Sequence, residues 1–283
     1  MAEILKLGLL AIKISIIVQL FAIGLETTWQ DATYLFRRPK LLLNSVLARN
    51  VAVPLMAIVL IKAFAFTGVI AFAIAVLSIT PVPPILPKEQ IRMGSRTEYV
   101  LGLLFSQTVL AIVTVPLTVE LMNWVFGSQV HFGWDEVAVI MLNAILIPLA
   151  AGMLAARLFP KLHDAGHYLM SAGAILLIVG VLPLLPFAWK AFSTLSGNGT
   201  FLALAVFVVG STAIGHLLGG PDPRDRSALG VASSARHPAI ALAIAKSNFP
   251  DQSSLIAGAV VIYLIFRTIL SIPYSRSRKA RHA

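Results

Sequence analysis

Three arginines interrupt apolar runs long enough to cross a bilayer: Arg49, followed by Asn50; Arg236, followed by His237 and Pro238; and Arg267. A guanidinium stays protonated under ordinary conditions, and at mid-span it costs roughly 2.5–3.5 kcal/mol on insertion scales, so each needs a partner. Carboxylates are scarce at that depth. Glu89 and Glu98 are the two expected to reach the arginines, because the other acids fall in joints or at span ends. Two solutions fit the shortage. In one, Arg49 and Arg236 form a structural network with Glu89 and exposed backbone carbonyls. In the other the missing negative charge is the cargo, a small organic anion gripped by the planar guanidinium fork. Ser106, Gln107 and Thr108 place neutral hydrogen-bonding groups on a neighbouring run and complete the expected substrate-binding set with Arg49, Arg236 and His237. His237 could donate to the anion, carry a proton or cap the helix that follows it. Glu89, a carboxyl beside bilayer-depth charge, is the second proton-coupling candidate. Lys13 and Arg267 have a simpler reading as side chains that snorkel toward the two interfaces.

Other chemistry is excluded by residue type. There is no cysteine, hence no disulfide, thiolate nucleophile or cysteine-based metal site. HExxH is absent and no Ser-His-Asp arrangement stands out, so hydrolysis has no visible machinery, and neither an enzyme nor a metal or cofactor is expected. The net charge of +10 would suggest nucleic acid in a soluble protein. Here the basic residues lie in joints between apolar runs, without a basic face interleaved with aromatics, so nucleic-acid binding is not expected.

The elements that must carry these residues follow from hydropathy. At 58% hydrophobic and 12% charged residues, the chain is too apolar for a soluble domain of 283 residues and reads as an all-α polytopic membrane protein. Nine spans are expected, over 4–25, 41–61, 69–94, 99–122, 137–158, 168–189, 199–218, 225–248 and 253–272. The first reads as a helix, being too long for a leader and lacking an A-x-A-like cleavage site. The turn-rich stretch GGPDPRDR (219–226) reads as a loop. Two of the nine are broken: 69–94 by Pro81, Pro83, Pro84 and Pro87, and 225–248 by Arg236 and His237, after which Pro238 can open a second half-helix because its missing N–H is an orphan there.

The breaks occupy corresponding places in two halves, 1–130 and 131–283, each followed by one continuous span. Such pairing points to a secondary transporter built from inverted repeats, with binding where the broken helices cross. The loop charges agree. With nine spans, Arg37, Arg38, Lys40, Arg96, Arg157, Lys161, Arg224, Arg226 and the tail Arg276, Arg278, Lys279 and Arg281 share one side, against Lys6, Lys62, Lys190 and Lys246 on the other. That asymmetry implies an outside N-terminus and a cytoplasmic C-terminus in an inner or plasma membrane.

With the breaks in view, the chain resembles the bile acid:sodium symporter family. GLETTWQDATYLFRRPK (24–40) is similar to the family's Gly-Leu and Asp pattern before a basic Arg-Pro joint, and Pro54 fits the proline of its next helix. Pro81 stands at the family's Pro-Gly-Gly break, and GHLLGG (215–220) with DRSALGVASSARHPAIALAIAKSNFP (225–250) resembles its later helices. The resemblance implies panel and core domains with substrate entering the cleft between them. It also exposes departures. The family's sodium-binding Glu falls at Ala232, the Gln four residues on at Arg236, the second-span Gln at Arg49, and a Ser-Asn pair near Leu86 and Pro87. Hard cations need oxygen ligands, and guanidinium groups repel them, so no bound sodium is expected. A small-organic-anion carrier working by alternating access is the first expectation. A sodium symporter and a non-transporting receptor of the same fold remain as alternatives.

Overall fold

The computed structural model describes residues 2–83, 85–127, 134–184, 186, 189, 192–193 and 199–282. Pro84, Lys190 and the boundary expected between 130 and 131 lie outside the described residues. The chain order is α1 (Ala2–Glu26), α2 (Trp29–Ala32), α3 (Pro39–Ala63), α4 (Gly68–Ile79), α5 (Leu86–Arg92), α6 (Thr97–Phe126), α7 (Trp134–Met141), α8 (Ile147–Leu158), α9 (Ala165–Val181), α10 (Thr200–Leu218), α11 (Pro223–Ser234), α12 (Pro238–Asn248) and α13 (Ser253–His282). No strand occurs among the described residues, as expected of a chain whose backbone groups must be satisfied within each segment in lipid. Among the described residues, four helices are long and apolar enough to cross a membrane: α3, α6, α10 and the Leu255–Arg278 part of α13. Three shorter apolar helices accompany them, α4, Leu142–Leu158 and α9.

Both breaks are present, and their cause is local. Thr80 precedes Pro81 and Ala235 ends α11; both are extended, with ψ of 143° and 131°. A residue before proline is pushed out of the α region, and a proline interrupts the ladder of backbone donors. Pro238 occupies the start of α12, with His237 also extended (ψ 105°).

Several expected boundaries need correction. The run 168–189 yields a helix that ends at Val181, because the following Leu182–Leu184 turn contains Pro183 and is 3-10. The stretch 219–226 is a loop only as far as Asp222. From Pro223 it is helix, since proline is preorganised for the first helical position and the Asp222 carboxylate accepts from Arg224 N at 2.8 Å. The last helix also continues past its expected end at 272: α13 runs through Pro273 to His282. Two π-helical turns went unforeseen, at Leu47–Ala52 and Leu142–Leu146.

The helices gather into two packing groups. In one, α1 lies along α8 and α9. Small residues allow close approach: a Cβ on Gly24 would sit 2.2 Å from Leu149 O, and one on Gly152 would sit 2.1 Å from Phe21 O. Gly8 and Gly180 repeat the arrangement toward the other end, and Ser15 Oγ donates to Gly173 O at 2.7 Å between them. Lipid offers no hydrophobic gain for helix association, so this backbone-to-backbone packing holds the group. Gly152→Ala is therefore expected to lose about 1–3 kcal/mol by overpacking, seen as a lower unfolding midpoint of the purified protein in detergent. An unchanged midpoint would mean that α1 and α8 do not meet at this pair. The second group contains α3, α4, α6, α10, α11, α12 and α13, and both breaks lie inside it.

Candidate functional site

The π-helical turn at Leu47–Ala52 carries Arg49, and π-turns often mark functional positions in helices. From α3 its guanidinium reaches both breaks: Nη1 donates to Ala232 O, and Nη2 lies 3.5 Å from Thr80 O. Arg236 comes from the second break. Its Nη1 donates to Ser78 O at 2.9 Å and Thr80 O at 3.2 Å, and its Nη2 to Ser233 O at 2.7 Å. The two are the largest fully buried side chains described, each 1% exposed.

Every one of these acceptors is a backbone carbonyl at the C-terminal end of a half-helix. The last carbonyls of a helix have no intrahelical donor and carry its partial negative charge. α4 and α11 end facing each other, so two sets of terminal carbonyls meet at the crossing with spare acceptor capacity, Ala232 O also accepting from Ala235 N at 3.2 Å. The arginines supply the donors. Thr80 joins the two sides: its carbonyl receives both arginines, and its Oγ1 accepts from His237 N at 3.2 Å. Tyr263 Oη, from α13, closes the ring by donating to Ser234 O.

Helix packing holds this arrangement in register. On α10, a Cβ added to Gly215 would meet Leu229 O and Ser233 Oγ at 2.4 Å, so α11 lies directly against it. At the start of α11, the buried Asp225 is gripped by the side-on edge of Arg96, with Nε at 3.0 Å from Oδ1 and Nη2 at 2.7 Å from Oδ2. Arg96 also donates to Tyr34 Oη. Gln90 Nε2 on α5 donates to Ala228 O at 2.7 Å, tying the far half of one broken segment to the near half of the other.

Of the residues picked out by sequence, Arg49, Arg236 and His237 meet at the crossing. Ser106, Gln107 and Thr108 are buried on α6 and bonded elsewhere: Thr108 Oγ1 to Leu104 O at 2.7 Å, Ser106 Oγ to Leu103 O at 3.4 Å, and Gln107 Nε2 to Ser45 Oγ on α3 at 3.2 Å. Glu89 reaches one of the three arginines, Arg267, at 2.7 Å. Glu98, in contrast, is exposed in the first turn of α6, and among the described residues no carboxylate bonds to Arg49 or Arg236. Lys13 is exposed on α1. The His237 ring is buried, and neither of its nitrogens has a partner among the described residues.

Sequence reading missed Thr80, Ser78, Tyr263 and Asp225 as parts of the site. Thr80 had a signal, its place before Pro81. Ser78 acts through its carbonyl, which no residue type announces. A separate cavity of about 410 Å³ runs along α4, bordered by Phe66, Phe72, Ile79, Met122, Ile244 and Phe249, and is mainly apolar. The arginines do not line it.

No curated protein matches the chain. The family model described as Sodium Bile acid symporter family matches residues 13–205, a stretch that holds Arg49, the first break and α6 and stops short of the second break. That family is one of membrane transporters of the bile acid or organic anion type. The match covers more than half of the sequence, in a helical, membrane-dimensioned protein with its polar groups at a broken-helix crossing, and the chain accordingly belongs to the sodium bile acid symporter family.

Proposed function

We propose that this protein is a secondary transporter that moves a small organic anion by alternating access without using sodium. The observation that carries the reading is the pair of buried guanidinium groups bound to the half-helix carbonyls at Ser78, Thr80, Ala232 and Ser233. These are the oxygen groups a hard cation would take as ligands. With Arg49 and Arg236 in contact with them, the crossing has resident cations that cannot dissociate. Ala232 has no carboxylate to attract another.

Preference for an anion follows from charge. Two guanidinium ions with no carboxylate partner among the described residues leave the crossing positive. The start of α12 adds backbone N–H groups and the positive end of a helix dipole, and the buried His237 ring has nitrogens there without a partner among the described residues. Protons are the coupling ion in this reading, if the transport is coupled, with Glu89 and His237 as their carriers. The proposed topology has nine spans in two inverted repeats, 1–130 and 131–283, with the N-terminus outside and the C-terminus cytoplasmic. The α1–α8–α9 group would be the panel and the other group the core, and substrate would pass between them.

The test is uptake of labelled small carboxylates into proteoliposomes, run in sodium, in potassium and with an imposed proton gradient. Saturable uptake that is equal in sodium and potassium is the expected result. Uptake that requires sodium at fixed membrane potential would restore the symporter reading, and binding without flux would make the protein a receptor.

A further inference from the structure

Arg267 lies one helical turn beyond Tyr263 on α13, so the two share a face, and Tyr263 caps the crossing through Ser234 O. Its guanidinium is only half used. Nη1 donates to Glu89 Oε2 at 2.7 Å, while Nε and Nη2 are buried and have no partner among the described residues. Those two atoms form one edge of the guanidinium, the edge whose parallel N–H bonds match the two oxygens of a carboxylate. The same molecule contains the filled version of that geometry, because Arg96 holds Asp225 by its own Nε and Nη2, at 3.0 and 2.7 Å. Buried donors of a charged group are expensive to leave unpaired, and an edge of this kind can take an acceptor from outside the chain.

The surroundings allow one to arrive. The Arg267 side chain is 13% exposed and that of Glu89 31%, so the pair lies at the edge of the buried region. Arg49 and Arg236 differ on both counts: they are sealed at 1% exposure, and among the described residues each has only an isolated Nε without a partner, its Nη atoms being spent on carbonyls.

Building on the organic-anion reading above, we infer that Arg267 is the anchor of the transported anion: its Nε–Nη2 edge takes the carboxylate of a small organic acid, while Nη1 stays with Glu89. Arg49 and Arg236 then act on the anion only through their field. The Glu89 carboxylate has a second consequence, since it shares one cation with the substrate and repels it. Specificity is for a planar oxyanion with two oxygens in one plane, which a fork recognises and a lone ammonium does not.

The experiment measures uptake of labelled benzoate, lactate and pyruvate by proteoliposomes containing wild type, Arg267→Gln, Arg267→Lys, Glu89→Gln and the Glu89→Gln/Arg267→Gln double variant. Arg267→Gln is expected to raise KM roughly tenfold or more, as loss of a bidentate charged contact should. Arg267→Lys should not restore it. Glu89→Gln should lower KM, and the double variant should stay impaired. A double variant with wild-type KM would show that Arg267 merely neutralises Glu89 and would overturn the inference, as would an Arg267→Gln variant with unchanged KM; in either case the carrier reading stands. If wild type takes up none of the three acids, it is the carrier reading that fails. Thermal stabilisation of the purified proteins by benzoate then decides the anchor: stabilisation of wild type but not of Arg267→Gln supports it, and no stabilisation of wild type overturns it.

Discussion

Replacing both crossing arginines, Arg49→Gln with Arg236→Gln, is expected to destabilise the protein by about 2–4 kcal/mol, and sodium should not rescue it. Two effects oppose each other here. Each shorter glutamine amide can replace at most one of the arginine bonds to the carbonyls of Ser78, Thr80, Ala232 and Ser233. Those left over lose their donors in a buried place, at roughly 1–3 kcal/mol each. Against this, two desolvated like charges disappear from one site, which offsets part of that cost. The hydrogen bonds win because helix ends cannot retract from each other: α11 is fixed by Asp225 on Arg96 at its start and by the close contact of Gly215 along its side. Thermal unfolding of the purified variant in sodium and in potassium reads both parts. Equal midpoints in the two salts, both below wild type, are expected. A variant as stable as wild type would mean that the crossing is held by packing alone.

The second large effect is a gain. Adding Ala232→Glu to that double variant should create sodium-dependent stability. The triple variant would present a carboxylate beside free carbonyl oxygens, the ligand type a hard cation takes, where the native protein has two fixed positive charges. A ligand that binds only the folded state stabilises it by about 2.7 kcal/mol at a hundredfold excess over its Kd. The same unfolding measurement, repeated over a sodium series against potassium, should therefore show a midpoint that rises with sodium in the triple variant and is flat in wild type. Should the triple variant ignore sodium, the carbonyls at the crossing do not form a cation cage, and the notion that arginines replace a bound ion loses its footing. The two variants together separate the mechanical role of the guanidinium groups from their electrostatic one.

The Arg267 pair bears on how such a carrier could load. At the crossing, positive charge is permanent and structural. One turn away, it is shared between Glu89 and an open edge. A carrier needs binding that can be reversed, and a partly exposed, half-satisfied guanidinium meets that requirement better than one sealed among carbonyls.

Much of this was legible in the sequence because its causes are local. Proline removes a donor and biases the residue before it, so Pro81 and Pro238 locate both breaks to within a few residues. Long apolar runs give helices at nearly their observed ends, as at Thr97–Phe126 and Thr200–Leu218. Hydropathy established a membrane protein, and the order of motifs pointed to the family. The misjudged boundaries came from reading residue type without position: Pro223 starts a helix as readily as proline ends one, and a basic tail is compatible with a helix once an apolar stretch has nucleated it.

What the tertiary structure alone decided was the partner of each buried charge. Sequence showed that Arg49, Arg236 and Arg267 needed acceptors and that carboxylates were few. It could not show that Arg49 bonds the carbonyl of a residue 183 positions away, because a backbone carbonyl is the same in every residue type and becomes a strong acceptor only where a helix happens to end. Nor could it assign Glu89 to Arg267 over the other two, since that depends on which face of α13 packs toward α5. Side-chain type determined that charge would be buried here, and the meeting of two helix ends in space determined what it is buried against.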